Sequence, residues 1–257
     1  MPLSDPELDR YARHIVLREV GGVGQAKIRA ARVLVVGAGG LGSPVALYLA
    51  AAGVGTLGLV DDDRVSLSNL QRQILYRTSD VGRPKVEAAA GALKALNDGI
   101  KIEIHPVRLG PENVTALISR YDIIADGSDN FATRFLLNDA CYFAGKTLVS
   151  AAVTEFEGQL STYKGAPCYR CLFPAPPPDG TLPNCSETGV LGAAAGVMGS
   201  LQALEILKEI TGAGTGLSGR LLIYDALSAA FRTVGLAPDP ACPLCGKDPK
   251  IKHLGQS

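Results

Sequence analysis

The segment from Arg32 to Asp63, RVLVVGAGGLGSPVALYLAAAGVGTLGLVDDD, constrains the fold more than any other part of the chain. It opens on an uninterrupted apolar run, Val33 to Val36, the pattern of a strand buried on both faces. A glycine turn follows, carrying Gly37, Gly39, Gly40 and Gly42, and then a small-residue helix from Ser43 to Ala52. A second apolar strand, Thr56 to Val60, runs into Asp61. Gly37-x-Gly39-x-x-Gly42 with an acid after the next strand is the fingerprint of a nucleotide-binding βαβ unit. Glycines permit the tight turn and let backbone N–H groups approach a phosphate at the positive end of the helix. The Asp61 carboxylate can accept hydrogen bonds from a ribose. At this level the pattern serves NAD and ATP equally.

The flanking sequence extends the alternation. A helix from Pro84 to about Asn97, a strand from Lys101 to Val107 and a short helix from Pro111 to Ser119 follow the polar stretch VSLSNLQRQILY. A strand Tyr121 to Ala125, a helix Ala132 to Phe143 and a strand Thr147 to Ala151 complete the series. Such alternation predicts an α/β fold with a Rossmann-like, doubly wound and mostly parallel sheet. Beyond Ala152 the pattern changes to antiparallel strands at Glu157–Tyr163, Arg220–Tyr224 and Phe231–Val234. A proline-rich loop (Pro174 to Pro183) and a Gly/Ala helix from about Val190 to Ile210 lie between them. Ahead of the first strand, Ser4-Asp5-Pro6-Glu7 starts a helix with a capping box, bearing Leu8, Tyr11 and Ile15 on one side and Arg10 and Arg13 on another. Gly21-Gly22-Val23-Gly24 breaks it, and a short basic helix around Gln25 to Ala31 leads onward. The expected organisation is a helical leader over 1–31, a nucleotide-binding βα half over 32–152, and a second half of the same domain over 153–257.

Composition narrows the functional classes. A chain of 257 residues holds one large α/β domain, or one with a small appendage. Lys+Arg and Asp+Glu are both 25, so no net field favours nucleic acid or an anionic membrane. Only 19% of residues are charged, which suggests surface covered by another protomer. There is no apolar signal core at the N-terminus, and the two uncharged Gly/Ala-rich stretches read as buried segments, so the expected location is the cytoplasm. The six cysteines then call for a role other than disulfides.

Four of them pair as Cys168-Tyr-Arg-Cys171 and Cys242-Pro-Leu-Cys245. Two CxxC turns can converge on one tetrahedral Zn²⁺, with a redox disulfide as the competing use. Four sulfurs leave no open position, so such a zinc is structural. Cys141 falls inside a helix and reads as a small buried residue. Cys185, in Asn184-Cys185-Ser186-Glu187, sits at a helix start, where a thiol pKa falls; it is either an activated nucleophile or an incidental loop cysteine. Asp61, Arg72, Lys85 and Asp129 lie on loops near strand ends, where the ligand crevice of an open α/β sheet is found. An arginine and a lysine can grip phosphates, and a carboxylate beside them suits a phosphate-bound Mg²⁺. Asp62 and Asp126 are either further members of this group or simply turn or strand-end carboxylates. The three histidines, His14, His105 and His253, are dispersed.

The leader RYARHIVL (10–17), the GAGGLGSP turn, VDDDRVSLSNLQRQILY, GRPKVEAA, DGSDNFATR, the CYRC and CPLC pairs and GVMGSLQALEILK together resemble the MoeB/ThiF/HesA adenylyltransferases, bacterial relatives of the ubiquitin-activating enzymes. The resemblance spans nearly the whole chain. It implies adenylation, with MgATP, of the C-terminal glycine carboxylate of a small ubiquitin-like sulfur-carrier protein. Gly37, Gly39, Gly40 and Gly42 would border the phosphates and Asp61 would bind the ribose, with Asp63, Ser68, Gln71 and Asn130 alongside. Asn69, Arg72 and Lys85 would hold the triphosphate, and Asp129 the Mg²⁺. Arg13 would reach the partner protomer's ATP across a homodimer, and 153–257 would bind the carrier's diglycine end. Cys168, Cys171, Cys242 and Cys245 match zinc ligands. Cys185 matches a cysteine that some relatives use in a thioester or acyl-disulfide. The few residues after Cys245 leave no room for a rhodanese-like domain, which implies a separate sulfur donor, a cysteine desulfurase or rhodanese. Ser128 stands where many relatives have threonine.

Overall fold

The computed structural model describes residues 3–177 and 189–255. An eight-stranded sheet runs in the order β3-β2-β1-β4-β5-β6-β7-β8 among the described residues. β1 (Arg32–Val36), β2 (Thr56–Val60), β3 (Lys101–His105), β4 (Ile123–Asp126) and β5 (Thr147–Thr154) are parallel. β6 (Glu157–Tyr163), β7 (Arg220–Asp225) and β8 (Ala230–Gly235) continue the sheet antiparallel from β5. The apolar runs dictate this placement: β2 and β4 are buried throughout, because helices cover both faces of a parallel sheet. The expected Rossmann-like architecture is thus present, with its antiparallel extension. β5 runs on to Thr154, through the point where the pattern of the sequence changes.

One face carries α3 (Gly21–Ala30), α4 (Gly42–Ala52), α5 (Lys85–Leu96) and α9 (Gly192–Thr211); the other carries α6 (Val114–Ile118) and α7 (Phe131–Ala144). α9 lies against α4, α3, β5 and β6. Its close approach to α4 needs glycine, since a Cβ at Gly199 would stand 2.4 Å from Pro44 Cγ. A four-residue turn, α8 (Tyr169–Leu172), holds the first CxxC.

The leader departs from the single helix expected from its pattern. It forms α1 (Asp5–Arg10) and α2 (Ala12–Ile15), broken at Tyr11. The cause is tertiary: Tyr11 is buried, its hydroxyl accepts a hydrogen bond from Asn97 Nδ2 at 2.9 Å, and it fills the space over Gly53. The predicted capping box is present, with Ser4 N–H donating to Glu7 Oε2 at 2.8 Å. α3 starts at Gly21 itself, so the four-residue glycine segment opens this helix instead of only preceding it. Among the described residues no helix is long and apolar enough to cross a membrane.

Candidate active site

Parallel strands present their carboxyl ends along one edge, and the loops there bring the expected residues together. Gly37 has φ +86°, and a Cβ on it would meet the Gly127 carbonyl oxygen at 2.8 Å. The turn after β1 and the turn after β4 are therefore in contact, backbone to backbone. Gly42 is tighter still: a Cβ would lie 1.8 Å from the Gly37 carbonyl oxygen. Gly39 differs, with only Gln73 Nε2 near it, 3.7 Å from where a Cβ would be. Gly40 faces the Arg72 side chain, and the backbone of Gln71 and Arg72 abuts Gly192 at the start of α9. No side chain caps the N-terminus of α4; Ser43 N–H goes to the Gly39 carbonyl at 2.9 Å and Pro44 has none, so a ligand would meet the glycine turn ahead of them. The open turn at Gly39, with the Arg72 side chain beside Gly40, has the backbone and the cation that a nucleotide phosphate takes.

Asp61 closes the turn from β2. Its Oδ2 accepts from the Ala38 N–H at 2.8 Å and its Oδ1 from the Asp63 N–H at 2.9 Å. Burial holds its pKa above the ordinary carboxylate value, against the opposing pull of Lys85 and these two N–H groups. Lys85 is the first residue of α5, where a cation opposes the helix dipole, and it is 6% exposed. Two carboxylates compensate it: Asp63 Oδ2 at 2.8 Å and Asp61 Oδ1 at 3.8 Å. A buried lysine at the first turn of a helix runs against the local rule and lies here at the sheet's ligand edge. The oxygens of Asp61, Asp62 and Asp63 lie within 4.8 Å of one another, with Lys85 balancing their charge.

A 3₁₀ turn, Leu67–Asn69, begins the next loop, where Asn69 Oδ1 accepts the Ser66 N–H at 3.1 Å. Arg72 donates to the Ser68 carbonyl at 3.1 Å, which leaves most of its guanidinium donors for another acceptor. Ser68 and Gln71 are exposed. Asp129 is exposed after β4, a carboxylate of the donor type Mg²⁺ takes. Asn130 has a local role: its Oδ1 caps α7 by accepting the Thr133 N–H at 2.8 Å. Arg13 is exposed on α2 and makes no hydrogen bond or ion pair with a described residue. Cys185 lies outside the described residues.

Sequence reasoning missed three supports of this site. Tyr76 donates its hydroxyl to the Ala38 carbonyl at 2.7 Å, and burial raises its pKa. Gln73 packs beneath Gly39, 4% exposed, with no partner for its Oε1. Asp126, left open between a site residue and a strand-end acid, is fully buried and accepts from Ser128 N, Ser128 Oγ and Ser150 Oγ. The available signals were the proximity of Gln73 to Asn69 and Arg72 and of Ser128 to Asp126; the Tyr76 and Ser150 contacts are long-range.

The four paired cysteines converge at the far end of the molecule. Their Sγ atoms all lie within 4.8 Å of one another, with Cys168 and Cys242 3.6 Å apart and Cys171 and Cys245 3.3 Å apart. Burial pushes the Cys168 thiol up and that of Cys245 to about 12. For Cys242 burial is outweighed by N–H groups of Cys245 and Leu244, and its pKa falls. Four thiols this close in a tetrahedral-sized cluster fit a divalent ion such as Zn²⁺, whose charge would make all four thiolates. Arg170, inside the first CxxC, pins this unit to α7 through a bidentate pair with Asp139, 2.8 Å on each side. Cys141 is buried as expected.

This fold and edge define a Rossmann-type nucleotide-binding protein with a four-thiol clip. The ThiF family model matches residues 11–244, and the chain belongs to the ThiF family. It is 50% identical over 261 aligned positions to the sulfur carrier protein adenylyltransferase of Thermus thermophilus, covering 99% of this chain and 96% of that protein. It is 49% identical over 248 positions to the SAMP-activating enzyme E1 of Haloferax volcanii, covering 96% and 92%. Against the adenylyltransferase and sulfurtransferase MOCS3 of Bos taurus identity is 51%, but the chain spans only 56% of that protein's length. Crystalline E. coli MccB shares the fold, with a TM-score of 0.82 at 21% identity over 96% of this chain and 75% of that one.

Proposed function

We propose that this protein adenylates the C-terminal glycine carboxylate of a small ubiquitin-like sulfur-carrier protein. A carboxylate oxygen of the carrier attacks the α-phosphorus of ATP, the bond to the bridging oxygen of pyrophosphate breaks, and its electron pair leaves with pyrophosphate. The product is an acyl-adenylate, ready for a sulfur nucleophile. The single observation that carries this reading is buried Lys85 beside the glycine turn and Arg72, in a chain half identical throughout to an adenylyltransferase of sulfur carriers. NAD needs no such lysine. Arg72, Lys85 and Asn69 bind and orient the triphosphate, which neutralises the charge that repels an incoming carboxylate. Asp61 holds the ribose, and Asp63 keeps Lys85 in place before ATP arrives. Gly37, Gly39, Gly40 and Gly42 lead backbone N–H groups to the phosphates; Ser68, Gln71 and Asn130 shape the rim. Mg²⁺ at Asp129 would stabilise charge on the leaving phosphates.

The four cysteines hold a structural zinc; Cys185 is either the nucleophile that takes the carrier in a thioester or acyl-disulfide or an incidental loop cysteine. Residues 1–31 act as a dimer arm, 32–152 as the nucleotide half and 153–257 as the carrier and zinc half. Large apolar residues on α3, α4, α9 and the turn after α2 support a homodimer, with the cytoplasm as its location: Val16, Leu17, Val23, Tyr48 and Leu204 are each about half or more exposed. Arg13, unpaired among the described residues, would then act on the partner protomer's ATP. Sulfur would come from a separate cysteine desulfurase or rhodanese. ATP–pyrophosphate exchange with purified diglycine-ended carriers is the test. Exchange should require carrier, vanish in Asp129→Ala with the fold intact, and survive in Cys185→Ala. No exchange with any such carrier from the same genome would overturn the proposal.

A further inference from the structure

Asp129 is exposed, yet the backbone on both sides of it is fixed. After it, Asn130 caps α7. Before it, Ser128 is held by groups that are themselves buried: Asp126 takes the Ser128 N–H at 3.0 Å and its hydroxyl at 2.6 Å. Arg134, one turn into α7 and 8% exposed, reaches back under the loop. Its Nη2 donates to the Ser128 carbonyl at 3.0 Å and to the Ala151 carbonyl at 3.2 Å, and its Nε faces Asp126 Oδ2 at 3.3 Å. From the opposite face of the sheet, Gln202 Nε2 donates to the Asp126 carbonyl at 2.8 Å and the Val149 carbonyl at 2.9 Å.

An ion pair this deep is a poor source of stability, because desolvation offsets most of its attraction. A guanidinium fork that ties one loop carbonyl to a neighbouring strand does supply orientation. We infer that Arg134 is a positioning residue: it sets the backbone that presents Asp129, so that the carboxylate meets magnesium-bound triphosphate already aimed. The inference rests on the reading that Asp129 takes Mg²⁺.

The test is ATP binding titrated against free Mg²⁺ by calorimetry on the full chain, which needs no carrier and no turnover. Arg134→Lys keeps the charge but cannot span Asp126, Ser128 and Ala151 together. The Mg²⁺ concentration for half-maximal ATP binding should rise about 10-fold or more in this variant, the usual scale for losing a ligand's support. Mg²⁺-free ATP binding should stay near wild type. A folded Arg134→Lys protein with the wild-type Mg²⁺ requirement overturns the inference, as does one in which Mg²⁺-free and Mg²⁺-dependent binding weaken alike. If Arg134→Lys does not fold, Ser128→Ala decides: it deletes one hydroxyl, should raise the requirement several-fold, and overturns the inference if it does not. Asp129→Ala separates the two claims. If its Mg²⁺ dependence equals that of wild type, the role of Asp129 falls; if only Arg134→Lys is silent, the positioning role falls.

Discussion

The glycine turn allows a test in which fold and ligand respond in opposite ways. Gly39→Ala adds one methyl group at a residue whose φ is not positive, with Gln73 Nε2 its nearest neighbour at 3.7 Å, an ordinary contact. The fold should accept it, with a gain of roughly 0.4–1 kcal/mol from a stiffer unfolded chain. A phosphate oxygen, however, must come within about 3 Å of these backbone N–H groups to bond. The methyl group holds it off and removes one charge-assisted hydrogen bond, worth about 1.5–3 kcal/mol. ATP affinity should therefore fall roughly 10- to 100-fold at unchanged or slightly raised Tm, since about 1.4 kcal/mol is tenfold in binding. Gly42→Ala should do the reverse damage, because its Cβ would stand 1.8 Å from the Gly37 carbonyl oxygen and the turn cannot form. Calorimetric binding of ATP and thermal melting of both variants complete the assay. Wild-type ATP affinity in a folded Gly39→Ala protein would refute the placement of phosphate on this turn.

Other consequences follow from the same contacts. Arg170→Met leaves Asp139 as an uncompensated buried charge and should cost about 3–5 kcal/mol in urea denaturation, most of it restored by Asp139→Leu in the same chain; a loss too small to measure would show the pair to be idle. Elemental assay of the purified protein should find one zinc per chain, and stripping it with a strong chelator should lower Tm, whereas Cys245→Ser should bind the metal weakly from the start. Glu103 is held down to about 2 by the Lys101 hydrogen bond, then by Tyr121 and Arg120. Its folded pKa is below the ordinary 4.5, so its contribution is present above 4.5 and lost as pH falls toward 2. Glu103→Gln should flatten the stability curve across that window, less so in high salt because Lys101 and Arg120 are solvent-exposed. An unchanged acid limb would contradict the assignment.

How much of this was legible in the sequence depends on the range of each interaction. The βα alternation, the glycine turn and both CxxC pairs are short-range patterns, and they place β1 to β5 and the thiol cluster correctly. Tyr11 shows where such reading stops: nothing local in RYARHIVL says that the ring will bond Asn97 and split the leader in two. Asp126 is the same case in the site. Its partners Ser150 and Arg134 come from other elements, so a strand-end acid and a hidden ion pair look alike in one dimension. Lys85 was found by its place near a strand end, but its pairing with Asp63 needed the loop's closure in three dimensions.

Gln202 sets the order in which this molecule becomes competent during its own synthesis. The carbonyls it joins, at Asp126 and Val149, leave the ribosome well before it does; Asp126 and Gln202 are 76 residues apart. At about 5–20 residues per second, that interval lasts roughly four to fifteen seconds. Throughout it the parallel strands exist without α9, which covers α3, α4 and β5. A nascent chain halted before α9 thus holds the whole glycine fingerprint while the part of that face over β5 and β6 is still bare, apolar surface of the kind chaperones bind.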